Sequence, residues 1–514
     1  MPIKFKTINF YAFVTVFLIS FSMLTFEILL TRIISLRLFF HFSFLVVSNC
    51  LLGIGASGSM ISILQNTLVK RERFWIWIFS LLYMFSLVVV YFFILNYDVE
   101  PNIYFSSLKE MLNFSVFNLL LSTPFFFAGS VIGLVLTFNV EQVNKIYSLD
   151  LLGAGLGAFF CPIFLMTTGA GGTFIFLTLL ALAGAMIATP PIYNRMIIVP
   201  GLLFALFGLL ILPSLDDWFP VPTGKDNIFI TEDISLKLGK RVTYSKWSAI
   251  SRVDVIDVDK DKRIIYGVGK KQHNVSLPEE KFILQDASAG TYISNFSQNP
   301  EALEILKYSI YSAAVMLKDK PRVFIIGVGG ANDVWAAKIN NATYIKGIEI
   351  NKQIIEIHKG YLYNFSRDIV NDPRIELVYD EGRSALIRDN SRYDVIQMAG
   401  VDTWSALTSG AYVLAENYLY TVEAIQNMYD KLSDGGIISI TRMGRDMETL
   451  RLLANIYTAL KDRDKGDFEK SVFCLHSEEW TRTVLVKKGA FSKLELNQLE
   501  QFAQKGQLEI LYHP

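Results

Sequence analysis

The run Val323-Phe324-Ile325-Ile326-Gly327-Val328-Gly329-Gly330-Ala331-Asn332-Asp333 decides the fold of the C-terminal half of this chain. Apolar residues in unbroken succession read as a strand covered on both faces. Glycines then turn the backbone sharply, and Trp335-Ala336-Ala337 continues as helix. Strand, glycine turn and helix together form the first unit of a doubly wound sheet. Gly327, Gly329 and Gly330 let the backbone approach a ligand closely. The helix start at Asn332 and Asp333 favours electronegative groups.

Downstream, a second strand over 344–350 carries Glu349 at its end, where an acidic side chain accepts hydrogen bonds from ribose hydroxyls. A third strand over 374–379 leads into Asp380-Glu381-Gly382-Arg383, which places Glu381 and Gly382 for an adenine amino group. Residues 393–398 read as a fourth strand and 436–441 as a fifth, after the Asp434-Gly435-Gly436 turn. Residues 471–475 and 481–486 read as a terminal pair. The dinucleotide fingerprint needs a third glycine where Asn332 stands, and no Gly-Lys-Ser/Thr follows the loop. A second acid after the third strand suits an adenosine ligand without a pyrophosphate.

Upstream, the texture is different. Residues 7–26, 38–69, 74–97, 111–140, 151–194 and 196–215 contain no Asp, Glu, Lys or Arg. A membrane-crossing helix needs about 20 largely apolar residues. The 151–194 run is too long for one helix and is punctuated by Thr167-Thr168-Gly169-Ala170-Gly171-Gly172, so 1–215 reads as a multi-pass domain of about seven helices. Within 111–140, Pro124 is expected to break the helix or make it re-entrant. Lys4, Lys6, Lys70, Arg71, Arg73, Lys145 and Arg195 fall on one side of that count, with Arg32, Arg37 and Lys109 on the other. The positive-inside rule then puts the N-terminus in the cytoplasm. Seven crossings would leave the C-terminal domain outside, so an even number and a cytoplasmic domain are favoured. Gly53, Gly55, Ala56, Gly58, Gly153, Ala154, Gly155, Gly157 and Ala158 suit close helix packing. Glu27, Arg32 and Arg37 admit two readings, interfacial snorkelling or a polar cavity for a head group.

After the Asp216-Asp217-Trp218-Phe219-Pro220-Val221-Pro222 boundary, 223–296 reads as a small antiparallel β region. Ser251–Val258 alternates with period two, and Arg263-Ile264-Ile265-Tyr266 reads as a following strand. The α/β domain occupies 297–514. Lys plus Arg number 48, as do Asp plus Glu, so no basic footprint points to nucleic acid. Cys50, Cys161 and Cys474 and the five histidines are scattered, and no metal site is expected.

Gly327–Asp333, Glu349, Glu381-Gly382 and Tyr393-Asp394-Val395-Ile396 resemble the spermidine synthase family, in its branch with an N-terminal membrane bundle. Val401-Asp402-Thr403-Trp404, Glu416 through Ala424, and Ile146 through Gly153 resemble that branch in particular. The resemblance implies a transmembrane helical bundle, a small β region and a Rossmann-like, seven-stranded S-adenosylmethionine-dependent methyltransferase-type domain. It implies S-adenosylmethionine or decarboxylated S-adenosylmethionine as co-substrate, held by Gly327, Gly329, Gly330, Asn332, Asp333, Glu349, Glu381 and Gly382. In aminopropyltransferases an aspartate after the fourth strand helps deprotonate the attacking amine. Ala399 stands there in this chain, and the family's second aspartate is kept as Asp402. Asp402, Glu416 and Tyr420 are therefore the candidate catalytic residues. The expected function is a membrane-integrated transferase, spermidine synthase-like but not a classical spermidine synthase. The alternative is a transporter or sensor whose adenosyl-binding domain is regulatory. Expected partners are the lipid bilayer (a bacterial inner membrane if prokaryotic), a small-molecule or lipid-linked acceptor, and a second copy as homodimer.

Overall fold

The computed structural model describes residues 10–38, 40–96, 107–211, 215, 221, 242–269, 277–287, 289–401, 418–444, 446–461, 463, 468–477 and 481–514. The chain forms two compact units, one built on the N-terminal helices and one on the sheets.

The helical unit contains α1 (Phe10–Arg37), α2 (Phe44–Leu68), α3 (Glu72–Asn96), α4 (Leu108–Phe138), α5 (Val143–Ala188) and α6 (Asn194–Ile211). Four stretches, Phe10–Arg37, Phe44–Asn96, Leu108–Phe138 and Val140–Ala188, are long and apolar enough to cross a membrane. The turn expected near 167–172 is a kink at Gly169 (φ 71°, ψ −173°), a backbone conformation that favours glycine. The break expected at Pro124 is absent, and α4 runs through it. Proline removes the amide that would bond the Leu120 carbonyl, and the Thr123 hydroxyl donates to that carbonyl instead at 2.7 Å.

Close packing uses only part of each small-residue stripe. A Cβ on Gly53 would sit 2.5 Å from the Ser122 carbonyl oxygen, and Cβ atoms on Gly153 and Gly157 would sit 2.5 Å from those of Phe17 and Phe21. Gly55, Gly58 and Gly155 face open space. The snorkelling reading of Arg32 and Arg37 does not hold, because both are buried within the helical unit. Arg37 donates from Nη1 to the Leu95 carbonyl at 3.0 Å.

β1 (Val242–Trp247), β2 (Arg252–Asp257), β3 (Glu280–Gln285) and β4 (Ala289–Ser294) form a sheet in that order. Strands β2, β3 and β4 pair antiparallel. The strand expected at Arg263–Tyr266 is not formed. The Ile264 amide donates to the Glu280 carboxylate at 2.9 Å, so a side chain takes the place of a ladder. That carboxylate also accepts from Ser294, and burial pushes it up to about 7.

The larger sheet contains β5 (Arg322–Ile326), β6 (Tyr344–Glu349), β7 (Ile375–Tyr379), β8 (Tyr393–Ala399), β9 (Leu432–Met443), β10 (Val472–His476), β11 (Thr481–Lys487) and β12 (Glu509–Tyr512). Its order is β12-β10-β11-β9-β8-β5-β6-β7. The seven expected strands are present, and β12 adds an eighth at the edge by pairing with β10. Alternate residues of each central strand feed two cores. Val323, Ile325, Val395 and Ile437 enter one, and Phe324, Ile326, Ile396 and Ile438 enter the other. This is why the central strands carry unbroken apolar runs.

Candidate functional site

Strand β5 lies between β6 and β8, parallel to both. The chain runs from β5 out to β7 on one side, then returns to β8 and β9 on the other. Such a reversal opens a crevice at the carboxyl ends of the strands, where ligands bind in this architecture. Gly327, Glu349, Glu381 and Ala399 all stand at that edge, at or just beyond the ends of β5, β6, β7 and β8.

The glycine loop is fixed by the protein itself. The Gly327 amide donates to the Ile348 carbonyl at 2.8 Å, and the Ala331 amide to the Val328 carbonyl at 2.7 Å. The Gly329 amide donates to Glu349 Oε2 at 3.1 Å, and the Gly330 amide to Thr291 Oγ1 of β4 at 3.3 Å. Gly327 and Gly329 have φ of +83° and +47°. Gly330 answers a different need. A Cβ there would run into the Tyr292 carbonyl, so β4 and not a ligand requires this glycine.

Glu349 is 4% exposed. Its Oε1 accepts from the Asn351 amide at 2.9 Å. Burial pushes the carboxyl above its usual value, while amides of Asn351, Gly329, Val328 and Ile350 oppose that shift. A carboxylate has about four acceptor positions, and the direct bonds from the Gly329 and Asn351 amides fill two of them.

Asn351 caps α8 (Lys352–Lys359) and receives the Gln353 amide. His358, in the last turn of α8, is fully buried. Its Nε2 lies 2.7 Å from the Gly329 carbonyl oxygen, and its Nδ1 lies 2.7 Å from Ser366 Oγ of α9 (Tyr363–Val370). Burial pushes the imidazole below its usual value, against the bond to Gly329.

Glu381 is the N-cap of the helix Gly382–Arg388. Its oxygens accept the Arg383 amide at 2.9 Å and the Ser384 amide at 2.7 Å. Partial burial disfavours its charge, but bonds from the Ser384 side chain and these amides outweigh that and hold the carboxyl below its usual value. A Cβ on Gly382 would meet Ile326 Cγ2 at 2.5 Å, so this glycine seats the helix on β5.

Asn332 and Asp333 open α7 (Asn332–Ile339) but are buried, 6% and 5% exposed. Asp333 accepts from Gln397 Nε2, and Gln397 also donates to the Tyr311 carbonyl at 3.1 Å. Burial pushes Asp333 up to about 7. Asn332 Oδ1 and Gln397 Oε1 have no hydrogen-bond partner among the described residues. Tyr420 lies in the core that also takes Ile326 and Met398, with the Arg442 guanidinium 4.3 Å from its ring centroid. Asp402 and Glu416 lie outside the described residues. Ala399, the last residue of β8, pairs with Thr441.

The structure thus joins Gly329 to Glu349 directly and Asp333 to Gln397. Sequence reasoning missed Thr291, Asn351, His358 and Gln397. The only local signal was Asn351, an asparagine directly after a strand and before a helical run.

Residues 305–493 match the family model described as the spermine/spermidine synthase domain. The chain is 27% identical over 146 residues to polyamine aminopropyltransferase 2 of Pseudomonas aeruginosa, covering 28% of this chain and 40% of that protein. It is 28% identical over 188 residues to a polyamine aminopropyltransferase of Thermococcus onnurineus, covering 35% and 61%. The chain therefore spans between 40% and 61% of the length of these relatives. A spermidine synthase from Thermotoga maritima matches at 18% identity with a TM-score of 0.35, over 53% of this chain and 81% of that one.

Proposed function

We propose that this chain, whose residues 305–493 match the spermine/spermidine synthase domain model, is a membrane-integrated transferase. Its donor is an adenosyl sulfonium, S-adenosylmethionine or its decarboxylated form. The observation that carries the reading is the spent glycine loop. The amides of Gly327, Gly329, Gly330 and Ala331 already have acceptors within the protein. A pyrophosphate needs free amides at this point. A ribose needs an acceptor, and Glu349 is one. Glu381 stands at the next strand end for the adenine amino group.

The sulfonium makes its attached carbons electrophilic, so the protein's work is alignment of donor and acceptor. An attacking ammonium must first lose a proton, and a placed carboxylate contributes about 10²–10⁴-fold in such steps. Ala399 supplies none. Asp402 is the base proposed in its place, with Glu416 and Tyr420 on the acceptor side. Such a site favours an acceptor other than the usual polyamine. The helical stretches of membrane-crossing length support a lipid-linked or membrane-bound one, reached from the cytoplasmic side.

The test uses purified full-length protein in lipid nanodiscs. It is incubated with each donor in turn, with putrescine or a total lipid extract as acceptor. Methylthioadenosine as by-product means aminopropyl or aminocarboxypropyl transfer, and S-adenosylhomocysteine means methyl transfer. Calorimetric absence of binding by both donors refutes the reading.

A further inference from the structure

Two consecutive peptide units of the glycine loop have all four polar groups assigned. In the first, the Val328 carbonyl accepts from Ala331 and the Gly329 amide donates to Glu349. In the second, the Gly330 amide donates to Thr291 and the Gly329 carbonyl faces His358. Glu349 and His358 belong to the same βα unit, at the end of β6 and in the last turn of α8. One supersecondary unit therefore grips Gly329 from both sides.

The chemistry fixes the proton positions. A carbonyl oxygen only accepts, so Nε2 of His358 carries hydrogen and donates to Gly329. In the neutral ring Nδ1 is then an acceptor, and the Ser366 hydroxyl donates to it. The imidazole is wholly buried, so water cannot substitute for either bond. Gly329 has positive φ, and a Cβ there would meet nothing closer than 3.4 Å. Packing alone does not hold this peptide in its orientation.

We infer that His358 is a positioning residue: by donating from Nε2 to the Gly329 carbonyl, it holds the loop so that Glu349 faces the ribose of an adenosyl ligand. Ser366 acts one step further out by fixing the tautomer. The inference rests on the adenosyl reading for the ligand's identity, but not for the hydrogen bonds within the loop.

The experiment separates the two. In full-length protein, His358 is replaced by Gln, whose amide nitrogen reaches the Nε2 position, and by Asn, which reaches only Nδ1. Hydrogen exchange of peptides covering 327–331 is followed without ligand, and methylthioadenosine affinity is measured by calorimetry. His358→Asn is expected to speed loop exchange and weaken binding about tenfold, the effect of one lost hydrogen bond. His358→Gln is expected to keep slow exchange and stay within about threefold of the native affinity. If Asn does not fold, Ser366→Ala replaces it, with exchange over 327–331 expected to speed more than exchange in β5 and β6. Equal behaviour of Gln and Asn, or native exchange in Ser366→Ala, overturns the inference. Failure of the native protein to bind methylthioadenosine counts against the adenosyl reading, while the exchange contrast still decides the role of His358.

Discussion

Glu349 and Glu381 end neighbouring parallel strands of one sheet, yet they are held in different ways. Glu349 is buried and gathers amides from the preceding loop and the following turn, so it ties two βα units together. Glu381 is half-buried and caps its own helix through residues two and three positions on. Burial raises the first carboxyl, and local bonds lower the second. One acid serves the tertiary structure and the other serves its own turn. The same residue type at equivalent strand ends therefore carries unequal structural weight.

The largest expected effect comes from Glu349→Ala. It strands buried amides at Gly329 and Asn351, at about 1–3 kcal/mol each, and abolishes adenosyl binding. Denaturant unfolding and calorimetry check this, and a loss no greater than that of Glu381→Ala would break the comparison. Next is Gly330→Ala, which drives a methyl into β4 and costs about 1–3 kcal/mol, read as a fall in Tm. Glu381→Ala should cost about 1 kcal/mol, the worth of an N-cap. Glu381→Asp should recover most of that, because aspartate also caps well. Glu349→Asp should not recover its site, because the shorter side chain cannot reach both amides.

The effect at Asp333 is the smallest in acid and grows with pH. Burial raises this carboxyl from 3.8 to about 7, so its share of stability is present below pH 3.8 and is lost as pH rises through 7. At pH 3.5, below the unfolded-state value, Asp333→Asn should shift stability by no more than about 0.5 kcal/mol. At pH 8 the variant should be the more stable protein, since it is neutral and its amide can donate to the orphaned oxygens of Gln397 or Asn332. Thermal melts at the two pH values check the sign. Glu280 shares that sign, so the wild-type slope should lessen in the variant without vanishing.

The larger sheet was legible because its strands supply two cores from alternate residues, and that demand writes unbroken apolar runs such as Val323–Ile326. The glycine loop and Glu349 were legible for the same local reason. Arg263–Tyr266 misled because its β-branched pair looks like a strand, whereas Glu280, remote in sequence, takes the Ile264 amide. Pro124 misled because the compensating hydroxyl of Thr123 carries no signal in a composition count. His358 was invisible. A lone histidine in a helical run shows nothing of the carbonyl it will face, and β12 was missed because it pairs with a strand distant in sequence.

The occupied amides of the glycine loop also bear on how fast and with what heat a ligand arrives. A loop already closed on Glu349, Thr291 and His358 has no ordering left to do when the ligand lands. The entropy of arranging those residues was spent during folding. Association should then proceed in one kinetic phase, linear in ligand concentration, with a heat-capacity change set by the apolar surface the adenine covers.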